Sequence, residues 1–158
     1  MRSLVNKTLL AATLGMASIT HATTVDVTFN IPQPDAERYA KPYVAIWAEN
    51  GRNAEHLLVW HLQGEKDKWL SDLRRWWRKI GRYDHQMDGL TGATKGPGQY
   101  SKTFEINDEW DTFTLYFEAA RENGGRSLMK TQIDTTDGHQ QYRIPAEDEL
   151  GDILITIN

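Results

Sequence analysis

The chain has 158 residues, 18 of them Lys or Arg and 22 Asp or Glu, with a formal net charge of −4 at neutral pH. That acidic balance is a poor match to nucleic acid, which selects basic surfaces. No Cys is present, which excludes disulfides, Cys-ligated zinc, iron–sulfur clusters and c-type haem attachment.

In chain order, residues 1–22 read as a cleavable export signal. Arg2 and Lys7 form a basic start, the run from Leu9 to Ala17 is a short apolar stretch, and Thr20-His21-Ala22 offers small residues at the cleavage positions. Cleavage after Ala22 is expected. The apolar run is shorter than the roughly 20 residues that a membrane span requires, so no direct span is expected once the signal is removed. A periplasmic location follows, with residues 23–158 as one domain. The signal takes two basic residues and no acid with it, so the remainder is more acidic still.

From Thr24 to Ile31 apolar and polar residues alternate strictly, the mark of a half-buried strand. Tyr43–Glu49 and His56–Leu62 are two further strands around Asn50-Gly51-Arg52-Asn53, a strong hairpin signal. Within the second of these, the spacing of His56 and His61 predicts opposite faces and therefore no shared metal site.

Apolar residues then recur at helical spacing through Trp69, Leu70, Leu73, Trp76, Trp77 and Ile80. This predicts one amphipathic helix near Lys68–Ile80, with Trp69, Leu73, Trp76 and Ile80 buried. Further strands are expected over Gln99–Ile106, Asp111–Ala119, Ser127–Ile133 and Asp152–Ile157. Asn123-Gly124-Gly125 supplies a turn. His139 falls in a polar loop, and Glu147-Asp148-Glu149 reads as a surface acidic run without calcium-loop spacing. The fold class is thus mainly β: an antiparallel, immunoglobulin-like sandwich of about seven strands with one inserted helix.

Between the helix and the strand from Gln99 lies Asp88-Gly89-Leu90-Thr91-Gly92-Ala93-Thr94, followed by Lys95-Gly96-Pro97-Gly98. Neither dinucleotide-binding nor phosphate-loop spacing is present. No general base stands at an arguable distance from Thr94, which a nucleophilic Thr would need. No metal ligand set is expected. The stretch instead suits presentation to another enzyme. Gly92 and Ala93 are small, the surrounding Gly and Pro favour an exposed loop, Thr94 offers a hydroxyl, and Lys95 could neutralise a phosphate.

Asp88, Thr91, Gly92, Ala93 and Thr94 together resemble the acceptor motif of covalent flavinylation. In proteins carrying it, a periplasmic flavin transferase takes FMN from FAD and esterifies its phosphate to the last Thr. The resemblance implies FMN on Thr94, with Asp88 and Thr91 serving recognition. Tyr83, His85 and Tyr100 flank the motif and are the candidates to touch the isoalloxazine ring. More widely, "WLSDLRRWWRK", "DGLTGATKGPG" and "YFEAARENGG" are similar to an uncharacterised family of small periplasmic proteins encoded beside flavin transferases and PepSY-type membrane proteins. This similarity runs from about Pro42 to Ile133. It implies an electron carrier or redox subunit, rather than a stand-alone enzyme, that receives electrons from a PepSY-type membrane protein. Two alternatives stay open beside it: the motif as a plain loop, and the chain as a non-redox binding module.

Overall fold

The computed structural model describes residues 22–35, 37–62, 67–83 and 91–158. The signal region up to residue 21, together with His85 and Asp88, lies outside these. Nine strands appear among the described residues: β1 (Thr23–Ile31), β2 (Tyr43–Asn50), β3 (Asn53–His61), β4 (Thr91–Ala93), β5 (Gly98–Ile106), β6 (Thr112–Ala120), β7 (Arg126–Asp134), β8 (Gln140–Ile144) and β9 (Ile153–Ile157). They form two sheets, ordered β5-β1-β9-β8 and β4-β3-β2-β6-β7.

This is the expected β-sandwich, with two strands more than the sequence indicated. β8 begins at the end of the segment read as a polar loop, and its alternation, Tyr142 and Ile144 against Gln141 and Arg143, is too short to stand out in the sequence. β4 is only three residues long, and it pairs parallel to β3, the one departure from an antiparallel arrangement.

Neighbour relations match those of a variable-type immunoglobulin sandwich. β1 and β5 pair as its second and fifth lettered strands do, while β3, β2, β6 and β7 follow one another as C′, C, F and G do. The place beside β1 that an N-terminal strand normally takes is filled by β9.

Apolar side chains from both sheets meet inside. Val25, Val27 and Phe29 of β1 pack with Val44, Ile46, Phe113, Leu115, Phe117 and Ile155. Burying such side chains is the main stabilising term, about 1.5–3 kcal/mol for each. The second sheet is covered on its outer face too. Tyr43, Ala45 and Trp47, alternating with the inward residues of β2, lie under Leu70, Leu73, Trp76 and Ile80.

That cover is the inserted segment, and it is not one regular helix. It begins as a 3₁₀ helix (Asp67–Asp72), makes one α turn (Arg74–Trp76) and ends in a π turn (Trp77–Gly81). Leu73, Trp76 and Ile80 are buried as expected, but Trp69 is 38% exposed. The cause is the winding. A 3₁₀ helix has about three residues per turn rather than about 3.6, which swings Trp69 off the face shared by Leu73 and Trp76. Trp77 is half-buried at the margin of the cluster.

A buried carboxylate anchors the segment. Glu118 on β6 is fully buried and accepts hydrogen bonds from the backbone N–H of Arg75 (3.0 Å) and of Trp76 (2.8 Å). Arg126 Nε donates to it as well, at 2.9 Å. It thereby satisfies backbone donors that a helix start otherwise leaves open.

A bulge in β3 corrects one expectation. The register passes from Ile46↔Leu58 to Trp47↔His56, leaving Leu57 as an extra residue. Leu57 and Leu58 both enter the inner core, and the alternation beyond them is shifted by one. His56 and His61 therefore share the outer face instead of lying on opposite faces. Among the described residues, no group of three or more His, Asp or Glu could hold a metal ion.

Candidate functional site

In variable-type sandwiches the B–C, C′–C″ and F–G connections gather at one end. The same end of this chain holds a cavity of about 280 Å³. Ala40 and Lys41 come from the β1–β2 connection, Leu62, Trp69 and Asp72 from the β3–β4 connection, and Arg121 and Glu122 from the β6–β7 turn. Tyr43 and Ala120 form the floor, where β2 and β6 meet in register. Thr94 completes the wall, one residue past the end of β4.

The position of Thr94 follows from the residues on either side of it. β4 runs beside β3 with Trp60 opposite Gly92 and His61 opposite Ala93. The Gly92 backbone lies against the Trp60 indole, where a β-carbon would come within 3.0 Å of Trp60 Cδ1. Only glycine allows that approach without displacement. Two residues beyond Thr94, the carbonyl of Gly96 accepts a hydrogen bond from Tyr100 Oη at 2.7 Å. Tyr100 in turn packs edge-on against Trp60, with ring centres 5.0 Å apart. Trp60 and Tyr100 thus form one aromatic base beneath the segment, with Thr94 between its two attachment points.

The expected open loop is therefore a docked edge, and Thr94 is only 8% exposed. This corrects the expectation that its hydroxyl is freely presented. The sequence pattern of Gly, Pro and Thr does not register a Trp on a neighbouring strand, and that Trp is what draws the segment down.

The other sequence-nominated residues are dispersed. Thr91 and Gly92 are half-buried in β4, and Ala93 and Lys95 are exposed on either side of Thr94. Tyr100 supports the segment from below and does not line the cavity. Tyr83 is 67% exposed, with the Arg82 guanidinium 4.6 Å above its ring, in a separate shallow groove that includes Arg52, Arg78 and Lys79. Trp69 is the cavity residue that helical periodicity assigned to the core instead.

The cavity's electrostatics are set on one side by a pair that sequence reasoning misplaced. Glu149, expected on an acidic surface, is buried and bound to Arg121 at 2.8 Å. It also accepts the backbone N–H of Gly125 at 2.6 Å, tying the β6–β7 turn to the end of the chain. The hydrogen bond to Glu149 raises the Arg121 pKa above its ordinary value, with burial opposing. Tyr39 stands close to the same pair. Burial raises its pKa, Arg121 opposes that rise, and Glu149 and Tyr100 add to it. Lys41 is an exposed cation of the cavity lining, which also includes the acids Asp72 and Glu122. The arrangement is an apolar floor with a hydroxyl on one wall, an indole on another and charges of both signs at the mouth. It can take a flat, partly apolar ligand that carries a polar or anionic tail.

Over residues 24–152 the chain matches the family described as "Predicted periplasmic protein (DUF2271)", and it belongs to that family. It is accordingly a periplasmic protein. No curated protein and no solved structure matches it. No helix among the described residues is long and apolar enough to cross a membrane.

Proposed function

We propose that this chain is a periplasmic electron-transfer flavoprotein carrying FMN on Thr94. A periplasmic flavin transferase would attach the group, and a PepSY-type membrane protein would supply electrons. The observation that carries this reading is the placement of Thr94, the last residue of the flavinylation-like motif, on the wall of a ligand-sized cavity. At about 280 Å³ the cavity lies just below the usual range of ligand pockets, about 300 to 1,000 Å³. That space suits a planar ring, with a ribityl phosphate left at the wall and mouth.

In the attachment step, Thr94 Oγ1 bonds to the FMN phosphorus of FAD as the pyrophosphate P–O bond breaks. AMP leaves, and the hydroxyl proton passes to a base of the transferase. Lys95 beside Thr94 in sequence, and Lys41 on the cavity, are cations that could balance the phosphate, while Arg121 on the cavity is already paired with Glu149. The bound flavin would supply reversible electron storage. The protein's part is to hold the ring, exclude water and set the local field.

A second reading has its own support. Gly92 is required by its approach to Trp60, so that glycine of the motif has a packing reason independent of any transferase. On this reading the cavity binds a small ligand non-covalently and the chain is a non-redox binding module.

Coexpression with an active periplasmic flavin transferase separates the two. Flavoprotein character requires the intact mass to increase by one FMN less one water, with the label on the peptide containing Thr94. An unmodified wild-type chain beside a modified control substrate would favour the binding module.

A further inference from the structure

Resting on the reading of Thr94 as the flavin attachment point, we infer that Trp69 is the residue on which the isoalloxazine ring stacks. Thr94 and Trp69 line the same cavity from different connections of the fold. The 3₁₀ winding of Asp67–Asp72 turns Trp69 out of the helical segment's packed face and toward this space. Of the large side chains in the segment, Leu73 and Trp76 are fully buried in the second core. Trp77 packs at its margin, against Trp76 at a ring-centre distance of 6.4 Å. Neither Trp76 nor Trp77 lines the cavity. Trp69 thus lines this apolar space while keeping 38% of its surface exposed, where a flat electron-poor ring held at Thr94 would meet it.

Three chemical features favour stacking there. Offset aromatic pairs are stabilised beyond simple area burial. A ring tethered at Thr94 has already lost its translational freedom, so even a modest stacking preference is expressed fully. The indole is electron-rich and the oxidised isoalloxazine electron-poor, so contact between them quenches flavin fluorescence through photoinduced electron transfer that reverses in the dark.

The test uses full-length chains coexpressed with the transferase, with attachment read by intact mass and ring contact by fluorescence of the covalently held flavin. The wild type should carry one FMN and fluoresce weakly. Trp69→Ala should keep the full mass gain while its fluorescence yield increases severalfold, because the quenching indole is gone. Trp69→Phe keeps the ring shape but removes the electron-rich indole, so it should also brighten the flavin. It serves as the folded variant if Trp69→Ala does not accumulate. Trp77→Phe should leave the yield at the wild-type level. Full attachment with an unchanged yield in both Trp69 variants would overturn the inference while leaving flavin on Thr94 intact. No attachment on the wild type would overturn the attachment reading, and the stacking assignment with it.

Discussion

Gly92 rests directly on Trp60: a β-carbon at position 92 would sit 3.0 Å from Trp60 Cδ1 and 3.3 Å from Nε1. This contact sets how deeply the end of β4 sinks into the sheet edge. Gly92→Ala should require a shift of a few tenths of an ångström and cost about 1 kcal/mol, and Gly92→Val about 1–3 kcal/mol, as overpacked sites do. Urea denaturation would give the loss. Hydrogen exchange should find the extra opening concentrated at 91–93, since β4 is a three-residue edge strand. A uniform increase over both sheets would contradict a local role.

Because Thr94 is 8% exposed, a transferase acting on the folded chain needs the segment to lift. The bond from Tyr100 Oη to the Gly96 carbonyl resists that motion. Tyr100→Phe removes the bond, so purified unmodified protein carrying it should accept flavin about fivefold faster than wild type. Initial rates by mass spectrometry would check this. An unchanged rate would mean that lifting does not limit attachment. Thr94→Ser should still be modified and Thr94→Ala should not.

Glu118 holds the helical segment to β6 through two backbone N–H groups and Arg126. Glu118→Ala leaves those donors facing a void and should cost about 1–3 kcal/mol for each buried N–H left unsatisfied. Glu118→Gln keeps an acceptor and should cost less. Chemical denaturation monitored by tryptophan fluorescence would rank the two. Equal losses would show that the charge, not the acceptor, matters.

Acid should weaken the first sheet through Asp152. Its pKa is lowered by the Arg143 side chain and then by the backbone N–H of Ala146. A depressed folded-state pKa means that the contribution is complete above the unfolded value of about 3.9. It fades as pH falls through the lower folded value. Asp152→Asn should therefore be less stable than wild type at neutral pH, and the gap should close in acid. A gap that stayed constant with pH would indicate that the charge plays no part.

Much of the sandwich was legible because period-two alternation directly reports a sheet with one buried face. β1, β6 and β9 carry it, with Val25, Val27, Phe29 and Ile31, with Phe113, Leu115 and Phe117, and with Ile153, Ile155 and Ile157 inward. The hairpin at Gly51 was legible for a similar local reason: Gly51 has φ 57° and takes the first central position of a two-residue loop between Asn50 and Asn53. What escaped was set by partners distant in sequence. Thr94 is buried because of Trp60 and Tyr100, Glu149 because of Arg121, and His61 lies on the outer face because of an extra residue at Leu57. Trp69 escaped for another reason, since an apolar spacing read at 3.6 residues per turn misassigns faces where the chain winds more tightly. The cavity's membership was hidden in the same way, as its residues come from connections that only the strand order brings together.

The seat that β9 occupies beside β1 imposes an order of assembly. The second sheet takes all its strands, β2, β3, β4, β6 and β7, from the chain up to Asp134, and Glu149 ties its β6–β7 turn only later. The first cannot join β1 to β8 until the last strand arrives, with Val25 opposite Ile157 and the amide of Asn158 closing on the carbonyl of Thr24 at 3.0 Å. Contacts spanning so much chain form slowly, because loop-closure entropy must be overcome before they stabilise anything. A polypeptide threaded across a membrane from its N-terminus would have to hold β1 with one edge paired to β5 and the other edge open until β9 emerged. Loss of β9 would leave a hydrophobic gap between β1 and β8. Such a chain is one that periplasmic quality control would be expected to degrade.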